Sequence, residues 1–147
     1  MANYADITYA DAYFLTHLWT TPWDDSIDAN KTKALTMGTQ IIDTLSFTGE
    51  VTSTTQDNQF PRDDEVTVPT DIQDASCEIA LALLDGIQPD KELEAARMLR
   101  FTYDAVTTQY KTDVPDHTYA GVPSVLAWRL LIPYLRDSDS FNLSRVT

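Results

Sequence analysis

The chain has 147 residues, 10 Lys and Arg against 23 Asp and Glu, and a formal net charge of −13. That length fits one domain, or one domain with a tail, whose folding removes roughly 68–70% of the unfolded surface from water. The 3 Trp, 7 Tyr and 5 Phe exclude a wholly disordered chain, and 18 Asp with 5 Glu exclude adhesion to nucleic acid or anionic membranes by charge alone.

A single cysteine, Cys77, offers neither an intramolecular disulfide nor a zinc framework. No apolar run approaches the ~20 residues that span a bilayer, and the residues from Met1 to Asp6 lack the basic and apolar regions of a signal peptide. The expectation is a chain made and kept in a reducing cytoplasm, or in a particle assembled there.

In chain order, Thr8 caps a short helix through Tyr13, Phe14 and Leu15 that reaches about His17 or Leu18. A loop follows around Pro22 and Trp23. The second helix starts near Asp28 and places Ala34, Leu35, Gly38, Ile41, Ile42 and Leu45 on one face, with Gly49 as a left-handed stop. Residues 50 to 69 are polar and rich in Thr, long for a mere connection and therefore a candidate functional element. A third helix starts at Thr70, capped by its hydroxyl with Gln73 reaching back, and runs to Gly86.

The charged stretch from Asp90 to Arg97 reads as a solvated helical turn or two. Thr, Tyr and Val between Phe101 and Tyr110 predict a short β-hairpin. From Pro123 to Leu135 a final helix is apolar nearly all round, which calls for burial on several sides, a subunit interface among them. The fold class is thus mainly α: a bundle of about four helices over residues 1–135 with a long central loop and a short hairpin. Residues 136–147 form an extended tail with two apolar anchors, Phe141 and Leu143.

Catalytic chemistry is thinly stocked. Cys77 lies inside the third helix and reads as a buried structural thiol, while His17 and His117 read as helix-end and loop residues. Asp24, Ser26, Asp28 and Asn30 begin like a calcium loop, but Ala29 and Leu35 stand where its glycine and final glutamate belong. No phosphate loop, HExxH or CxxC is present. We read no enzyme, no metal and no cofactor.

Several segments together resemble a family of tailed-bacteriophage head–tail connectors, or adaptors, some of whose members carry a DnaT-like single-stranded-DNA-binding label. The features are Tyr4, Ala10-Asp11-Ala12-Tyr13-Phe14, Trp23, Lys33-Ala34-Leu35, Ile42-Asp43 and Phe47-Thr48-Gly49. They continue with Gln59-Phe60-Pro61-Arg62, with Val68-Pro69 before a helix holding Ile72, Ala75, Glu78 and Ala80, and with Pro123 and Leu130 to Leu135. Gly38 stands where the family more often has alanine, which costs about 0.5–1 kcal/mol unless close packing needs it.

What the resemblance implies is a structural virion protein: a ring, of about twelve copies, under the portal protein at the neck. It would join capsid to tail or tail-tube protein and pass DNA through its lumen without specific binding. A closed ring needs two different complementary patches per subunit. The final helix (Trp128, Arg129) and the aromatic first helix (Tyr13, Phe14) are candidates. Phe60-Pro61-Arg62 is either a turn whose arginine meets a neighbour's carboxylate, or a core plug with a solvated arginine. Arg136 and Arg145 flank Phe141 and Leu143 in a tail that orders on a partner such as the portal. Acids should gather on lumen and outer wall, with arginines at the contacts. The alternatives are a single-stranded-DNA-binding module, which needs a positive groove with stacking aromatics, and a tail-completion or terminator protein of more β-rich fold.

Overall fold

A computed structural model of the chain describes residues 2–106 and 114–136, with side chains through Met98 and again from Val114. Helix α1 (Ile7–Phe14) is capped two residues before the expected position: the Asp6 carboxylate accepts from the Tyr9 amide at 2.8 Å, and Thr8 lies inside. The helix stops at Phe14, earlier than the expected His17 or Leu18. The loop around Pro22 contains one helical turn, α2 (Thr21–Asp24), which buries Trp23. Helix α3 (Asp28–Asp43) and helix α4 (Thr70–Leu84) start where periodicity placed them. The Thr70 cap is not formed, because Pro69 occupies the cap position and Gln73 Nε2 donates to the Tyr4 carbonyl at 3.2 Å.

Helices α3 and α4 pair closely at Gly38. A Cβ there would lie 3.0 Å from the Ser76 carbonyl oxygen, a backbone atom in a fully buried turn of α4. This is the close packing that justifies glycine in a helix interior. Helix α4 then serves two cores. Ile72, Ala75 and Ile79 join Ile42, Phe47, Phe60, Ala127 and Leu131. Cys77 and Ala80 join Ala10, Phe14, Trp23 and Leu35.

The expected hairpin is not seen among the described residues. Helix α5 (Pro89–Val106) runs through Phe101 to Val106, and among the described residues no strand forms beyond two isolated bridges, Phe47 with Leu135 and Val51 with Arg62. The reason is cooperativity. Pro89 and the strong helix formers from Lys91 to Arg97 nucleate the helix, and extending it over Thr, Tyr and Val costs only about a few tenths of a kcal/mol per residue. Residues 107 to 110 of the expected hairpin lie outside the described residues.

Helices α6 (Asp116–Tyr119) and α7 (Val125–Leu131) follow. The Ser124 hydroxyl caps α7 by accepting from the Ala127 amide at 3.2 Å, and Pro133 sits in a 3₁₀ turn, Ile132–Tyr134. The described residues thus hold seven helices and this turn where about four helices were expected. None of the helices is long and apolar enough to cross a membrane.

Candidate assembly surfaces

The segment Phe60-Pro61-Arg62 turns inward. Phe60 is buried between the rings of Tyr4, Phe47 and Tyr134, with centroids 6.1, 4.7 and 5.9 Å away and all three pairs edge-on. The Pro61 carbonyl accepts from the Thr52 amide and from Gln56 Nε2. Arg62 is only 8% exposed, and its guanidinium donates to the carbonyls of Phe47, Thr48, Gly49 and Gln59 and to Gln59 Oε1. Within the chain these acceptors are neutral oxygens of the loop's own backbone and one amide. Neither expected role for this arginine is what the fold shows: it is not solvated, and its donors are occupied without a neighbour's carboxylate.

Gly49 completes that clamp. Its φ is +77°, and the Asp63 carboxylate fills the space a Cβ would need while accepting from the Glu50 amide at 3.1 Å. Its place is inside the loop, five residues past the cap of α3 at Thr44 rather than at the helix stop. Arg136 is exposed but also leans on this loop, through Nε to the Phe47 carbonyl at 3.2 Å and its amide to Ser46.

On the other side of α4, phenols meet carboxylates in register. Tyr9 donates to Asp74 at 2.6 Å and Tyr13 to Glu78 at 2.7 Å, one helical turn apart on both α1 and α4. Burial pushes both phenols up, and their carboxylate acceptors reinforce this, so they remain neutral donors. Tyr4 is held in the same manner by Asp43, whose own carboxyl is raised by burial. Cys77 is fully buried and its thiol is pushed up, chiefly by burial, so it presents no thiolate. Among the described residues no group of three His, Cys, Asp or Glu is placed to hold a metal ion.

Of the other candidates, Phe14 is buried against Trp23, and Tyr13 is half-buried and stacks on His17 at 4.1 Å. Trp128 is buried in the larger core, whereas Arg129 is exposed. Phe141, Leu143 and Arg145 lie outside the described residues.

Two outward apolar surfaces were missed residue by residue. The first is the tip between α1 and α2, where Leu15, Leu18 and Trp19 are 84%, 75% and 86% exposed. Trp19 has a φ of +61°, uncommon for a bulky residue and a mark of a constrained turn. Beside it lies an open groove of about 380 Å³ lined by Phe14, Leu15 and Trp23 with Asp11 and Asp24. Asp11 accepts from Trp23 Nε1 at 2.8 Å, and Lys31 lies 3.9 Å from Asp11 and over the Trp23 ring. The second surface is the outer side of α7, where Val125, Leu126 and Ile132 are about half exposed around Arg129. The signal for the first was available only in part: Leu15 falls off the Ala10 and Phe14 stripe, whereas Leu18 keeps its i+4 spacing and is exposed because α1 stops at Phe14. For the second, all-round apolarity pointed to an uncovered side without saying which.

The fold and these surfaces define an acidic, mainly helical module with two separate apolar faces. The chain belongs to a family described as "Putative DnaT-like ssDNA binding protein", whose match spans residues 2–146. No curated protein and no solved structure matches it.

Proposed function

We propose that this protein is a structural assembly module of the head–tail connector kind, acting as a ring that joins capsid to tail and lets DNA pass. The observation that carries this reading is the pair of apolar surfaces at the α1–α2 tip and on α7. They are chemically different, as a heterologous ring contact requires. The charge supports it: a chain at −13 repels phosphate, which suits a channel wall better than a docking groove. Electron microscopy of the chain mixed with its cognate portal protein tests it. A ring stacked on the portal is the expected result, and monodisperse unbound chains count against it.

Single-stranded DNA binding is the second reading, and the family's description supports it more directly than it supports the connector. Arg97 over the ring of Tyr119, 5.3 Å from its centroid, is the kind of cation–aromatic pair that such binding uses. Against it, the other exposed cations with described side chains, Lys33, Lys91, Arg129 and Arg136, are spread over α3, α5, α7 and the segment after the 3₁₀ turn. Fluorescence anisotropy with oligonucleotides separates the two: salt-dependent micromolar binding favours DNA. The mainly helical fold speaks against the terminator alternative, for which a β-rich chain was expected.

A further inference from the structure

The two apolar surfaces carry opposite charge. The groove at the α1–α2 tip has apolar walls from Phe14, Leu15 and Trp23 and carboxylates from Asp11 and Asp24. Asp25 and Asp28 are exposed nearby in sequence. The outer face of α7 presents Val125, Leu126 and Ile132 around Arg129. An open groove with apolar walls and an acidic rim fits an apolar side chain with a guanidinium one turn away, which is what Leu126 and Arg129 offer at i and i+3.

We infer that the α1–α2 tip of one copy docks on the α7 face of a second copy, head to tail. The inference rests on the assembly reading above and names its two surfaces. Because tip and face are different patches, each copy keeps one of each free after pairing, so the contact propagates until the rotation closes it. Apolar burial of Leu15, Leu18 and Trp19 supplies attraction. Asp24 against Arg129 sets orientation and disfavours tip-to-tip pairing, where aspartates would face aspartates. Both surfaces flank α4, which bears α1 and α2 on one side and α7 on the other, so the protomer is a rigid spacer between its two contacts. Acids therefore stand at one side of this seam, opposite Arg129, instead of avoiding contacts altogether.

The test is complementation between two exposed-site variants, Trp19→Asp at the tip and Leu126→Asp on α7, each checked for native helix content by circular dichroism. Sedimentation velocity is run on the full chain up to about 1 mM, where even millimolar contacts are populated. Wild type should associate and each variant alone should stay monomeric. An equimolar mixture should give a heterodimer and nothing larger, since only one intact tip and one intact face remain to meet. Arg129→Glu should weaken association about tenfold, with partial rescue by Asp24→Lys on the partner copy.

Either aspartate variant associating like wild type, or a mixture without heterodimers, overturns the docking. So does a wild type that stays monomeric. If deleting 137–147 turns a monomeric chain into an associating one, the occupant is the chain's own C-terminal segment and the inference falls. A chain that forms rings on the portal despite both substitutions sinks this geometry alone. One that neither self-associates nor binds the portal sinks the assembly reading with it.

Discussion

Two irregular, aromatic-bearing stretches of this chain meet opposite fates. The loop from Phe47 to Arg62 folds its aromatics into the core and occupies its arginine with backbone carbonyls, while the turn from Leu15 to Trp19 leaves two leucines and a tryptophan in water. The difference lies in what each segment can satisfy internally. The central loop brings carbonyls that need donors, and a buried guanidinium meets several of them at once. The tip lies between two short helices whose buried sides are already used by Phe14 and Trp23. A segment rich in hydrogen-bonding need becomes structure; a segment with apolar surplus and no room beneath it becomes surface.

The sharpest way to break this contrast is to truncate one aromatic from each stretch. Phe60→Ala removes a ring buried among three others and should cost about 3–5 kcal/mol by urea denaturation. Trp19→Ala, at 86% exposure, should stay within about 0.5 kcal/mol of wild type. A large loss at Trp19 would mean that the tip is part of the fold. Arg62→Ala comes next, at about 3 kcal/mol, because carbonyls of Phe47 and Gln59 lose their donor in a confined place. Arg62→Lys should recover little, since one ammonium cannot span acceptors spread over residues 47 to 49 and Gln59.

How much of this was legible beforehand depends on which physical signal each element carries. The starts of α3 and α4 were readable because apolar spacing and Pro69 mark them locally. The extension of α5 into Phe101 to Val106 was not, because composition reports each residue's preference and not the helix already propagating into it. At the candidate surfaces, Tyr13 and Phe14 stood out as aromatics on a short helix, yet their partners, Glu78 and Trp23, are set by tertiary packing. Arg62 was singled out as an interface candidate, but nothing local says that its acceptors include the carbonyls of residues 47 to 49. The exposure of Leu15 to Trp19 was only partly signalled, because the helix was expected to reach His17 or Leu18 and where it stops is set by the packing beneath it.

Gly38 offers a smaller effect that sharpens the same point about internal fit. Alanine is the better helix former by about 0.5–1 kcal/mol, but its Cβ would press on the Ser76 carbonyl in a turn hemmed in by both cores. Gly38→Ala should therefore destabilise the fold by about 1 kcal/mol, the low end of overpacking, in a thermal or urea melt. A stabilised variant would show that α3 and α4 separate more readily than the central loop does.

The smallest effect is a pH dependence at the anchor of the inward loop. Burial raises the Asp43 carboxyl above the ordinary carboxylate range, although the Tyr4 hydroxyl and the Gln59 amide both donate to it and oppose the rise. One of its oxygens, Oδ2, is buried without a partner, which fits a carboxyl that burial disfavours as an anion. Between the ordinary carboxylate range and the raised value, the folded chain holds more protons at this site than the unfolded chain. Its contribution to stability is therefore present at lower pH and is lost as pH rises through the folded value. Other acids add their own slope to the wild-type curve, so the informative quantity is a difference. Asp43→Asn keeps an acceptor for Tyr4 and Gln59 and removes the titration. Subtracting its pH–stability curve, measured by urea denaturation upward from the carboxylate range, should leave a decline in wild type relative to the variant. A difference that stays flat across that window would mean that the loop's anchor is as well hydrated as the tip it contrasts with.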